Sequence, residues 1–128
     1  MTFQLNIRTA EDRLEDHRAR RANAIRAAYS AAMSGLADAY PAHEREGWPE
    51  QVIAARAVLA GGSSELIDAM IAHTGETAQE CAEAILAKRA DHAVRYGALT
   101  GLKRSLLAQL AAAKTPAQID AVHWPDDP

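Results

Sequence analysis

Ala22-Asn23-Ala24-Ile25-Arg26-Ala27-Ala28-Tyr29-Ser30-Ala31-Ala32-Met33-Ser34-Gly35-Leu36 carries an apolar seam at Ala22, Ile25, Tyr29, Ala32 and Leu36. Steps of three and four put these side chains on one stripe of an α-helix and on no single face of a strand. Reading backwards, Thr9 followed by Asp12 resembles a helix N-cap with an acid at the third helical position. Glu11 and Asp12 suit the positive end of the helix macrodipole. Reading forwards, Pro41 cannot continue the helix. The sequence therefore predicts one long helix from about Ala10 to about Tyr40.

A second long helix follows from Thr77-Ala78-Gln79-Glu80, a capping box. Its pattern runs through Cys81, Ile85, Tyr96, Leu99, Leu102, Leu106 and Leu110 to about Ala113. Gly97 and Gly101 lower helix propensity within it, which predicts close approach of another helix or a slight bend. Between the long helices, Pro41 to Gly47 reads as a polar turn. Trp48-Pro49-Glu50-Gln51 then opens a helix, with proline at the first helical position and Trp48 placed to staple it. Gly61-Gly62 ends that helix. Ser63 or Ser64 caps a short one carrying Leu66, Ile67, Met70 and Ile71, closed by Gly75. Thr115-Pro116-Ala117-Gln118 caps a last short helix with Ile119 and Val122. The predicted fold is all-α: a compact bundle of about five helices, two of them long. Its expected core includes Ile25, Tyr29, Leu36, Trp48, Val52, Leu59, Leu66, Met70, Ile85, Tyr96, Leu106 and Leu110.

The N-terminal region reads differently. Met1-Thr2-Phe3-Gln4-Leu5-Asn6-Ile7-Arg8 alternates, placing Phe3, Leu5 and Ile7 on one side of a short β-strand or extended segment. From Thr9 to Asn23 the chain is strongly charged, with Leu14 its one large apolar residue. The seam of the first helix, continued backwards, reaches Arg18 and Glu15. A parallel homotypic coiled coil would set Arg21 against Arg26, or place Arg18 and Arg21 in the seam itself, and both conflict with what such a coil needs. Residues 1–24 are accordingly expected to form a strand and charged helical arm for interaction, and residues 25–128 a helical domain. Phe3, Leu5, Ile7, Leu14, Arg18 and Arg21 are the expected partner-binding residues. A free strand with three apolar side chains on one face is a sticky edge, so it is expected to add to a strand of another chain, either a second copy or a partner. The competing expectation is that it folds back on its own helices or takes no fixed structure.

Composition narrows the function. The chain has 128 residues, the length of one domain or of a small domain with an appendage. Thirty residues are alanine and only six are aromatic, which predicts a thin core and modest stability. A formal charge of −3 points to no polyanion. Acids interleave with Arg18, Arg20, Arg21 and Arg26, so nucleic-acid binding is not expected. Apolar runs are too short to span a bilayer and no signal pattern opens the chain, so no membrane partner is expected. Cys81 is the single cysteine, which rules out an internal disulfide and fits a reducing cytosol.

Chemistry is sparse. The histidines His17, His43, His73, His92 and His123 have no partner at ligand spacing. His43-Glu44 begins like a zinc-protease motif, but Gly47 stands where the second histidine belongs. No nucleophile elbow or phosphate loop is present. Glu11, Asp12, Glu15 and Asp16 lie on a helical turn with arginines beside them, as on a solvated helix surface. Cys81 near a helix start could have a lowered pKa, but its spacing with Ile85 reads as a core position. Catalysis, a metal and a cofactor are therefore not expected.

A further set of features occurs in order: Ala27 to Met33, Tyr40-Pro41, Gly47-Trp48-Pro49-Glu50-Gln51 and Glu65-Leu66-Ile67-Asp68-Ala69-Met70. After these come Tyr96-Gly97, Gly101, Thr115-Pro116 and His123-Trp124-Pro125. Over roughly Arg20 to Trp124 this order resembles the helical domain of small phage tail proteins of the tail-fibre assembly, or chaperone, type. Members of that group often carry arginine-glutamine after the second glycine of the long helix, where this chain has Lys103-Arg104. Longer members have a separate N-terminal domain, replaced here by the strand and charged helix. The resemblance implies a non-catalytic protein binding a tail-fibre or other tail polypeptide, with a homo-oligomer through the N-terminal segment as a further expectation. Its expected place is the host bacterial cytoplasm during assembly, or the virion tail. The alternatives are a structural tail component kept in the virion and a host-directed interaction protein.

Overall fold

A computed structural model of the chain describes residues 9–126. The strand expected over Met1 to Arg8, with Phe3, Leu5 and Ile7, lies outside them. Six helices follow one another: α1 (Ala10–Ala39), α2 (Ala42–Glu46), α3 (Trp48–Leu59), α4 (Glu65–Thr74), α5 (Ala78–Ala112) and α6 (Pro116–Asp120). Every regular element among the described residues is a helix, so the fold is all-α.

Local chemistry sets the helix ends. Thr9 and Asp12 exchange hydrogen bonds, each backbone N–H donating to the other's side chain at 3.2 and 3.1 Å. Thr77 and Glu80 do the same ahead of α5, at 3.3 and 3.1 Å. Ser64 caps α4 and Thr115 caps α6 through side-chain oxygens. At the end of α3, Gly61 takes φ +94° and the Gly62 N–H donates to the Ala57 carbonyl at 2.9 Å. That closing bond requires a residue in the left-handed region, where glycine bears no Cβ penalty. The expected polar turn over Pro41 to Gly47 is instead the single helical turn α2. The Pro41 carbonyl starts it by accepting from Glu44 and Arg45 at 3.0 and 3.1 Å.

The fold comprises two compact units. Unit 1 takes the chain up to Met33 and from Ala98 onward; unit 2 is Ser34–Gly97. In unit 1, Ile25 of α1 packs with Leu106, Leu110 and Ala113 around the end of α5, and with Ile119 and Val122 in and after α6. In unit 2, Val52 and Ala55 of α3 pack with Ile67 of α4 and Cys81, Ala82 and Ile85 of α5. Only Ile25, Ile67, Leu110 and Ile119 stand out as large, fully buried side chains, in keeping with an alanine-rich chain. Burying each contributes on the order of 1.5–3 kcal/mol.

Three expected core residues are exposed: Leu59, Leu66 and Tyr96. On α4 the packed positions are Ile67, Met70 and Ile71, so Leu66 falls one step off the stripe. Leu59 is the last residue of α3, beyond the packed turn that holds Ala55. Tyr96 lays its ring against His92 and leaves much of its surface to solvent. Leu14, in the charged first half of α1, packs against the core of unit 1. Gly97 and Gly101 mark no close approach, since a Cβ built at either meets nothing within 4 Å.

Candidate functional site

In unit 2, Tyr40, Trp48 and His92 meet edge-on, with ring centroids 5.6, 5.6 and 5.1 Å apart. Such T-shaped contacts place the positive edge of one ring against the negative face of another. Tyr96 stacks on His92 at 5.9 Å. Burial, and secondarily the charge of Arg45, pushes the His92 imidazole below its ordinary value, with Asp91 acting in the opposite sense. The ring is thereby held in the neutral form that suits an aromatic cluster. The Tyr40 hydroxyl donates to Asp91, and this bond to a carboxylate holds the phenol pKa up.

Arg45 donates its Nε–H to the Tyr40 carbonyl at 2.8 Å. Beside it runs a groove whose first half, ≈ 370 Å³, is lined by Arg45, Trp48, Arg89, His92, Ala93 and Tyr96. The second half, ≈ 360 Å³, shares Arg45, Trp48 and Arg89, and adds Ile53 and Arg56 among others. No carboxylate lines either half. Among the described residues neither Arg56 nor Arg89 is ion-paired. Ile53 is 71 % exposed and Tyr96 45 %. With Val94, Leu59 and Leu66 they are the exposed large apolar side chains among the described residues, and all five belong to unit 2.

The residues expected from sequence to bind a partner have intramolecular roles where they are described. Leu14 is half-buried against the unit 1 core. Arg18 donates to the carbonyls of Leu110 and Ala113 at 3.1 and 2.7 Å and pairs with Glu15. Both carbonyls lie at the C-terminal end of α5, where a guanidinium opposes the negative pole of the helix. Arg21 meets Asp120 at 3.2 Å, and His17 meets the same carboxylate oxygen at 2.7 Å. A recess of ≈ 650 Å³ beside them is lined by both signs of charge: Glu11 and Asp120 against Arg13, His17 and Lys114. It offers no electrostatic preference comparable with the groove of unit 2.

The bond to His17, then that to Arg21, holds the Asp120 carboxyl below its ordinary value of 3.8. A depressed folded-state pKa contributes stability that is fully present above the unfolded value and is lost as pH falls through the folded one. Asp120→Asn should therefore be less stable than the parent at pH 7, with the gap shrinking as pH falls below about 4. Urea melts of both proteins at pH 7, 5 and 3 measure this. A gap independent of pH would show that the carboxylate's charge contributes nothing.

Cys81 is buried, and burial followed by the nearby Glu76 pushes its thiol pKa up, opposite to the lowering a helix start could have given. Among the described residues no group of three or more histidine, cysteine, aspartate or glutamate side chains is arranged to hold a metal ion. Among the described residues no helix is long and apolar enough to cross a membrane. No family model, no curated protein and no solved structure matches the chain.

Sequence reasoning passed over the groove arginines. Arg45, Arg56 and Arg89 have no acid three or four residues away on either side, so no helical neighbour pairs with them. Arg21, Arg26 and Arg104 share that property, so the pattern selects candidates without locating the site.

Proposed function

We propose that this chain is a non-catalytic assembly protein of a tailed phage or prophage, of the tail-fibre chaperone type, which binds a tail-fibre polypeptide. The observation carrying this reading is that the exposed large apolar side chains among the described residues, Ile53, Leu59, Leu66, Val94 and Tyr96, all belong to unit 2. An assembly factor needs exposed apolar side chains to hold a partner chain before that chain finds its final contacts. The sequence resemblance supports the same reading. Tyr40, Trp48 and Tyr96, which belong to its ordered motifs, take part in the aromatic cluster of unit 2. The protein would act in the host bacterial cytoplasm.

Co-expression with a tail-fibre polypeptide of the same phage or prophage tests the proposal. Soluble fibre should rise and the two chains should co-purify, while mass spectrometry of purified particles should find this chain absent. Stoichiometric presence in particles would replace the proposal with a resident tail component. Unchanged fibre solubility without co-purification would refute it.

A further inference from the structure

We infer that the groove of unit 2 is a docking site for an acidic polypeptide segment. Carboxylates of the segment pair with Arg45, Arg56 and Arg89, and one large apolar side chain seats beside Trp48 and Tyr96. The inference concerns recognition chemistry and stands apart from the phage reading. The two halves of the groove share Arg45, Trp48 and Arg89, so they form one continuous surface. Each half falls within the usual ligand-site range of about 300–1,000 Å³.

Charge complementarity selects the occupant. Three arginines line a groove without a single carboxylate, on a chain whose formal charge is −3. Guanidinium groups recognise carboxylates through paired N–H donors. Arg56 and Arg89 are exposed and not ion-paired among the described residues, so a partner need not displace an internal acid to reach them. Arg45 is held at Nε by the Tyr40 carbonyl, which fixes its place while its other N–H groups remain as donors. Tyr96 lines one half of the groove and Ile53 the other, and both are exposed.

Length limits the occupant as well. On α3 the lining runs from Trp48 to Arg56, roughly 12 Å at the helical rise. That accommodates about two turns of helix or about four extended residues, a short linear segment and not a folded domain. A polynucleotide fits less well. The charge is concentrated in a short groove on an acidic chain, whereas non-specific nucleic-acid affinity grows with the number of phosphates neutralised.

The test uses the full chain, ¹⁵N-labelled, and synthetic eight-residue peptides of Glu and Asp around one central Phe, Leu or Trp. Controls replace every acid by its amide, and single-stranded oligo-dT serves as the polyanion probe. Acidic peptides should shift the arginine Nε–H signals of Arg45, Arg56 and Arg89, and the amide controls should not. Arg56→Glu/Arg89→Glu should weaken binding by at least about tenfold, at unchanged helicity and melting temperature. Arg56→Gln/Arg89→Gln, which removes charge without reversing it, should give an intermediate loss.

Equal binding of acid and amide peptides would overturn the inference. So would shifts confined to unit 1, tighter binding of oligo-dT, or no response to any acidic peptide at millimolar concentration. Self-association of the chain that protects the same arginine signals would replace it with a homotypic contact.

Discussion

Replacing Trp48 by alanine is expected to lower the unfolding free energy by about 3–5 kcal/mol. For a chain of this size that corresponds to a fall in melting temperature of roughly 10–20 °C. Trp48 opens α3 and is only 7 % exposed, so truncation empties a large volume inside unit 2. It also removes the edge-on contacts to Tyr40 and His92, each worth about 0.5–1.5 kcal/mol beyond area burial. Trp48→Phe keeps an aromatic body and should lose far less. The histidine supplies a second readout. Burial is the largest cause depressing the His92 pKa, so opening the cluster in Trp48→Ala should let it climb toward its ordinary value of 6.5. Thermal circular dichroism measures the first effect and NMR titration of the His92 ring the second. A loss below about 1 kcal/mol with an unmoved His92 titration would mean that the aromatic cluster contributes little to the stability of unit 2.

Helix boundaries were legible because each is written in local chemistry. Thr9 with Asp12, Thr77 with Glu80, Thr115 and the Gly61-Gly62 pair act within a few residues of themselves, and all form the bonds their types predict. Burial was less legible, because it depends on which stripe of a helix meets a neighbour. Leu66 and Ile67 are adjacent apolar residues of similar size, and one is exposed while the other is fully buried. No local signal separates them. Alanine hid a further part of the core. Ala55 and Ala82 are fully buried, but in a chain with thirty alanines the residue type carries no information about position.

Charge misled in a more instructive way. The first half of α1 reads as a solvated surface because one-dimensional patterning counts only neighbours in sequence. Its arginines instead find partners about a hundred residues away: the end of α5 for Arg18 and Asp120 for Arg21. Arg45, Arg56 and Arg89 show the converse. No acid stands three or four residues from any of them, yet they gather along a single groove that no acid lines. Arg18 and Arg21 make contacts within unit 1, and the exposed large apolar side chains among the described residues lie in unit 2.

Leu110→Ala should cost about 2–5 kcal/mol through the side chain it removes. The side chain is 2 % exposed and packs in the cluster of Ile25, Ile119 and Val122. Its carbonyl accepts from Arg18, so the same residue joins the apolar core to the charged cap on α5. Few large side chains are buried in this chain, and native stability is generally only about 5–15 kcal/mol, so the loss is a substantial fraction of the whole. Each unit holds one of the two tryptophans, Trp48 in unit 2 and Trp124 in unit 1. Trp124 packs against the unit 1 cluster and meets Tyr29 edge-on at 6.3 Å. In a Trp48→Phe background, emission therefore reports on Trp124 alone. Leu110→Ala should move the urea midpoint of that signal sharply lower. Arg18→Ala should move it in the same direction by a smaller amount, because it removes the donor to the Leu110 and Ala113 carbonyls, which Leu110→Ala leaves in place. An arginine kept for an outside partner would leave the Trp124 transition where it was. An arginine capping the end of α5 cannot be removed without moving it, and whether the midpoint falls decides between the two roles.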